Sequence, residues 1–251
     1  MENKFKSQNT PNKSKDVIYQ VSLLQSLLYG DYHGSVTINE LKQHGDVGIG
    51  TFNKLNGEMI MLDGEVYRAS GDGSVEIVSD NESTPFSVVK YIDSDETKPL
   101  KDISDFDALC HQLDKIAKEK GINRFYMIRV DGMFREVNVR SVYAQNEQYR
   151  PLTEVMKHDQ TFFDYKDIEG TLVGLYCPPY MAALNAVGWH LHFISKDKTK
   201  GGHVLGVNIA DAILTWDEAD AFQMRLPKNE SFDRFDLTVD QSEDIKKIEA
   251  K

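Results

Sequence analysis

An α+β fold is what this sequence predicts: two β-rich subdomains of mainly antiparallel or mixed strands, with few helices. Three observations predict it. Short apolar or alternating runs recur through most of the chain, as at Glu58-Met59-Ile60-Met61-Leu62 and from Trp189 to Ser195. Asn56-Gly57, Asp63-Gly64 and Asp72-Gly73 separate such runs as hairpin-type turns. Helical apolar spacing is prominent only near residue 17 and near residue 103. No GxGxxG joins a strand to a helix, so a dinucleotide fold is not indicated.

The elements follow in order. Residues 1–16 are rich in Lys, Asn and Ser, lack the apolar run of a secretory signal, and read as a disordered tail. Val17 to Tyr29 reads as an amphipathic helix, with Asp16 capping and Gly30 stopping it. Thr37 to His44 reads as a short helix, with Thr37 as cap and Glu40 three positions on. Four strands are predicted at 48–52, 58–62, 65–68 and 75–78, and a fifth at 86–92, followed by an acidic loop over 93–98. Ile103 to Lys120 is the longest predicted helix, started by Ser104 or Asp105 and stopped by Gly121. Asp131-Gly132 reads as a hairpin turn between strands at 125–130 and 133–141. Strands follow at 171–176, 189–195, 204–209 and 222–226. Residues 210–215 continue a strand, or 217–221 form one helical turn. Phe232 to Val239 alternates, and the rest is a charged tail. The expected organisation is an N-terminal subdomain over 17–160, a C-terminal subdomain over 161–240, and a tail over 241–251 that reaches the functional site.

Composition bounds the function. Of 251 residues, 40% are hydrophobic and 27% charged, which is ordinary for a globular protein. A net charge of -11 argues against a general nucleic-acid binder, though not against a small anionic substrate. No apolar stretch approaches bilayer length, so no membrane span is expected and the default is a cytoplasmic protein. Cys110 and Cys177, the only cysteines, form no CxxC pair and read as buried thiols.

The chemistry concentrates around three histidines. His190 and His192 are two apart in a predicted strand, so their side chains share one face. Trp189, Leu191 and Phe193 then face the core. His203 follows a charged turn that folds the next strand back beside the first. Three imidazoles with an open position form a catalytic zinc set, and other divalent transition metals accept the same ligands. The pattern alone leaves a second reading open, in which His190 and His192 are half-buried, hydrogen-bonded structural histidines. His33, His44, His111 and His158 are scattered and read as structural or exposed.

Longer motifs surround these residues. Cys177-Pro178-Pro179-Tyr180, Gly188 through Ser195, Gly201-Gly202-His203-Val204-Leu205, and Gly48 through Phe52 followed by Leu55 to Met59 together resemble the alpha-acetolactate decarboxylase family. The resemblance runs from about Leu23 to Leu226. It implies a zinc ion on His190, His192 and His203, with no organic cofactor, and a homodimer. It also implies that Thr51, Glu58 and Arg140 serve the site as catalytic and substrate-binding residues. It selects Arg140 over Arg68, Arg129 and Arg135, which periodicity does not. A glutamate from the tail is implied as well; Glu249 is the match and Glu243 competes. Glu65, after a second Leu-Asp-Gly, is the runner-up to Glu58. The implied reaction takes a 2-hydroxy-3-keto acid, 2-acetolactate, to (R)-acetoin and carbon dioxide in acetoin and butanediol biosynthesis. Arg140 would hold the carboxylate or the developing charge, Glu58 or Glu249 would deliver a proton, Thr51 would orient substrate or water, and the metal would act as electron sink. Two other classes remain open on the residues: a histidine-metal hydrolase whose glutamate activates water, and a non-enzymatic binding module.

Overall fold

A computed structural model describes residues 16–249. Residues 1–15 of the expected tail lie outside the described residues, as does the side chain of Glu249. The chain begins with β1 (Val17–Val21), α1 (Leu24–Leu28), β2 (Val36–Thr37), α2 (Ile38–Leu41), β3 (Val47–Thr51), β4 (Glu58–Leu62) and β5 (Glu65–Ala69). It continues through β6 (Val75–Ile77), β7 (Ser83–Thr84), β8 (Ser87–Lys90), β9 (Glu96–Ile103), α3 (Phe106–Lys120) and β10 (Phe125–Val142). Then come α4 (Leu152–His158), β11 (Gln160–Cys177), β12 (Gly188–Ser195), β13 (Gly201–Ala219), β14 (Ala221–Arg225), α5 (Glu230–Arg234) and α6 (Ser242–Glu249). The fold is α+β, as the sequence predicts. None of the described helices is long and apolar enough to cross a membrane.

Two large sheets carry the structure. The first is seven-stranded, in the order β14-β1-β8-β3-β4-β5-β6. The second is ordered β10-β11-β12-β13-β9, and β10 also pairs with β13, so four strands close on one another. Pairing is antiparallel except between β1 and β14, which run parallel. Sheet membership crosses residue 160 in both directions: β9 and β10 lie in the second sheet, and β14 returns to the first.

Several elements form as predicted, for local reasons. Asp63 and Gly64 both take positive φ, 54° and 80°, as a two-residue hairpin with right-handed strand twist requires. Thr37 caps α2 by accepting from the Glu40 amide, and Asp105 caps α3 by accepting from the Ala108 amide at 2.8 Å. Elsewhere tertiary pairing overrides the local pattern. Residues 17–21 form a strand, not the first turn of a helix, because β14 and β8 pair with both of its edges. Ser22, with φ of 61°, breaks the backbone before α1. Asp131-Gly132 is not a turn, since β10 runs straight through it between β11 and β13. A Cβ on Gly132 would stand 2.3 Å from the Asp211 carbonyl oxygen, so the glycine serves close strand approach. The acidic loop is shorter than expected because β9 begins at Glu96, and its Pro99 is tolerated on an edge strand. Residues 217–219 stay in β13 with no helical turn. Phe232 lies in α5, capped by Asn229, and the charged tail forms α6.

Strand alternation sorts the core into layers. Leu191, Phe193, Val137 and Val139 face α3, packing with Leu109, Leu113 and Trp216. Met59, Met61 and Val89 face outward from the first sheet onto Ile38 and Leu41 of α2. The alternate positions, Ile49, Ile60, Val88, Val142, Val173 and Ile194, meet between the two sheets.

A fully buried ion pair helps tie the sheets together. Lys90 on β8 donates to Asp217 on β13 at 2.7 Å, and both side chains are fully buried. Burial pushes the Asp217 carboxyl up, and its bond from Lys90 draws it back. Replacing Asp217 with Asn is expected to cost about 3–5 kcal/mol, because it strands a buried ammonium. The double variant Lys90→Met/Asp217→Leu should recover most of that loss. Urea unfolding checks both, and an Asp217→Asn protein of wild-type stability would refute the expectation.

Candidate active site

The same alternation builds a polar cluster in the layer between the sheets. Thr51 shares a face with Ile49, Glu58 with Ile60, Arg140 with Val142, and His190 and His192 with Ile194. Cross-strand register then sets neighbours. His192 lies opposite His203, and His203 lies opposite Arg140, which makes one row across β12, β13 and β10. In the facing sheet Thr51 lies opposite Glu58. Thr51, Glu58, Arg140, His190, His192 and His203 line one cavity, and all six are buried.

The three imidazoles converge. His190 Nε2 is 3.2 Å from His192 Nε2 and 3.1 Å from His203 Nδ1. His192 Nδ1 donates to the Met59 carbonyl at 2.8 Å, which fixes its tautomer and leaves Nε2 with its lone pair toward the cluster. Burial, with the Arg140 charge behind it, draws the His190 pKa down to about 3. Burial and the neighbouring His190 hold His192 well below its usual value, against the Met59 carbonyl, which raises it. Both rings are therefore neutral at neutral pH. One ring nitrogen from each of three histidines, all within 4.8 Å of one another, is a donor set that suits a divalent transition metal. Tetrahedral ligands at about 2.0–2.1 Å from zinc stand about 3.3–3.4 Å apart, close to the spacings of 3.2 and 3.1 Å between these nitrogens. The residues fit such an ion.

Arg140 is chemically unusual. It is 5% exposed, its Nε has no hydrogen-bond partner among the described residues, and none of their carboxylates forms an ion pair with it. The other strand arginines are engaged: Arg68 with Glu76 and Glu82, Arg129 with Asp63 and Asp131, Arg135 with Asp102. A buried guanidinium without a carboxylate is costly, and an anionic ligand would relieve that cost.

Glu58 and Thr51 come from the other sheet. Glu58 Oε2 is 3.6 Å from His192 Nε2. The Thr51 hydroxyl donates to the Gly57 carbonyl at 2.7 Å, so it braces the turn that delivers Glu58. Gly57 has φ of 83°, and a Cβ there would meet the Ala69 carbonyl oxygen at 2.6 Å. Of the residues weighed against these, Glu65 is exposed beside Lys42, and Glu243 is exposed and paired with Lys246 at 2.9 Å. The Glu249 side chain lies outside the described residues, but its neighbour Ile248 lines the cavity.

The rest of the cavity wall is apolar. Leu24, Leu27, Leu55, Phe86, Leu152 and Met156 face the polar cluster, and sequence patterning gave no sign of this role. They carry the same helical or strand spacing as any core residue. Which apolar positions border a void depends on how α1 and α4 are placed against the sheets, and that is not a local property.

Comparison with known proteins places these features in context. The family model described as alpha-acetolactate decarboxylase matches residues 18–239. An alpha-acetolactate decarboxylase of Methanosarcina mazei is 39% identical over 238 residues, covering 95% of this chain and 82% of that protein. That of Brevibacillus brevis is 36% identical over 237 residues, with 94% and 82% covered. The crystal structure of alpha-acetolactate decarboxylase from Bacillus subtilis strain 168 superposes with a TM-score of 0.90 at 35% identity, covering 94% of this chain and all of that one.

Proposed function

We propose, since this chain belongs to the alpha-acetolactate decarboxylase family, that it converts 2-acetolactate to (R)-acetoin and carbon dioxide in the cytoplasm, in acetoin and butanediol biosynthesis. The observation that carries this reading is the chamber itself. Three buried imidazoles face a buried arginine that no described carboxylate neutralises, and a buried glutamate borders them.

The substrate is a carboxylate beta to a ketone. The bond between the carboxyl carbon and the quaternary carbon breaks, carbon dioxide leaves, and the electron pair moves toward the ketone oxygen as an enediolate. A proton then adds to carbon to give acetoin. Zinc held by His190, His192 and His203 would supply Lewis-acid stabilisation of the oxygen that receives that pair. Arg140 binds the carboxylate through its planar fork, and its field stabilises the charge that develops. Glu58 holds the proton for one face of the enediolate, which would fix the product's handedness. Glu249 is the second candidate for that role.

Thr51 acts in this reading through Glu58, since its proton is committed to Gly57. Thr51→Val keeps the shape and loses the bond. It is expected to lower kcat by up to about 10²-fold, the scale at which a small displacement of a reacting group is felt. Thr51→Ser should restore most of it. Steady-state kinetics decide, and a Val variant as active as the Ser variant would refute the role.

The reading as a whole is tested by supplying racemic acetolactate with and without chelator, alongside elemental analysis. Chelator-sensitive formation of acetoin and carbon dioxide, with about one zinc per three-histidine site, is expected. No acetoin would sink the assignment, and chelator-resistant turnover would sink the metal's role. A histidine-metal hydrolase is disfavoured by Arg140, whose charge is neutralised by no carboxylate among the described residues and suits an anionic substrate. The chain is also read as a homodimer. Light scattering should give twice the 28.6 kDa chain mass, and a single-chain mass would refute it.

A further inference from the structure

The chamber is divided into chemically distinct halves. Its polar half consists of the histidines, Arg140, Glu58 and Thr51, and its apolar half comes from α1, α4, Leu55, Phe86 and α6. A second cavity is lined by Thr153, Lys157, Gln160, Phe162 and Lys247 among others. The two cavities share three lining residues, Arg140, Met156 and Ile248. They adjoin at those side chains.

Helical geometry explains why Met156 stands at the divide. On α4, Leu152 and Met156 are four apart and line the inner chamber. Thr153 and Lys157, also four apart, line the outer cavity. Met156 belongs to both stripes, and it is half-buried against the inter-sheet core. Arg140 is fixed in a strand between two partners, and Ile248 is β-branched and stiff. Methionine is unbranched, with three rotatable bonds, and so is the adaptable part of the partition.

We infer that Met156 sets the size of the alkyl groups the chamber accepts, by closing the inner cavity against the outer one. The inference rests on the proposed function. The substrate's carboxylate, hydroxyl and ketone are satisfied by the polar half, so its alkyl groups are left to the apolar half. A smaller residue at 156 opens that half toward the outer cavity, and a larger one fills it.

The test compares kcat/KM for 2-acetolactate with that for two homologues, each one methylene longer at one of its alkyl groups. Met156→Ala is expected to raise the homologue-to-acetolactate ratio about tenfold for at least one homologue, the discrimination a single methylene gives in an apolar pocket. Met156→Phe should move the same ratio in the opposite direction. Because a ratio is independent of the folded fraction, partial misfolding of either variant does not affect it. Ratios within about twofold of wild type in both variants, or ratios that move the same way, would overturn the inference. Wild-type protein inactive on acetolactate would instead overturn the functional reading itself.

Discussion

Replacing His192 with alanine is expected to abolish metal binding at the proposed three-histidine site and lower acetoin formation by roughly 10³-fold, since a Lewis acid contributes several kcal/mol and about 1.4 kcal/mol is one decade of rate. The position is central to the cluster. His192 stands 3.2 Å from His190, opposite His203 in the ladder, and 3.6 Å from the Glu58 carboxylate. Its other nitrogen is already committed to the Met59 carbonyl, so the ring has a single free orientation for a ligand bond. Two remaining imidazoles do not complete a three-ligand catalytic site. Metal content per chain and initial rate are measured together. His158→Ala, at an exposed position, is the control and should change neither. A His192→Ala protein that retains full metal and full rate would remove this residue from the ligand set.

The convergence of the three histidines was legible in the sequence because strand alternation is a strict rule, although the pattern alone left metal binding and a structural role both open. Two histidines at i and i+2 in a strand must share a face, and Leu191 and Phe193 must then turn to the opposite layer, as they do. His203 required one further step, a turn that returns the chain, and Ser195 to Gly201 provides it. Glu58 and Arg140 were not legible in this way. Their positions depend on how two sheets pack and on the β10–β13 register, which contains three shifts. No periodicity encodes those features, so the resemblance to a family singled these residues out. The same limit explains the misplaced helix at 17–21. Val17-Ile18-Tyr19-Gln20-Val21 is a good strand former, and only the presence of β14 and β8 on its two edges decides between the alternatives. Asp131-Gly132 is the converse case. Its turn signal is locally strong, but the Asp131 carboxylate is bound by Thr171 and Arg129, and pairing on both sides holds the strand straight.

Arg140→Met is expected to lower kcat/KM by about 10²–10³-fold, the scale seen when one preorganised donor is removed from developing charge. Arg140→Lys should fall between, because it retains the charge and loses the planar fork. Loss of activity alone would not separate a binding role from a structural one, so stability is the sharper readout. An arginine that holds the fold through an ion pair destabilises the protein when removed, as would be expected for Arg68 with its two glutamates. Arg140 is buried with no carboxylate paired to it among the described residues and with its Nε unbonded. Its charge is desolvated at a cost to the fold, a cost that an anionic ligand would relieve. Methionine removes that cost and fills much of the same space. Arg140→Met should therefore unfold at an equal or higher urea concentration than wild type while its activity collapses. Opposite movement of the two measurements identifies a residue held ready for an anion. A variant that loses stability and activity together would place Arg140 in the framework of the sheet instead.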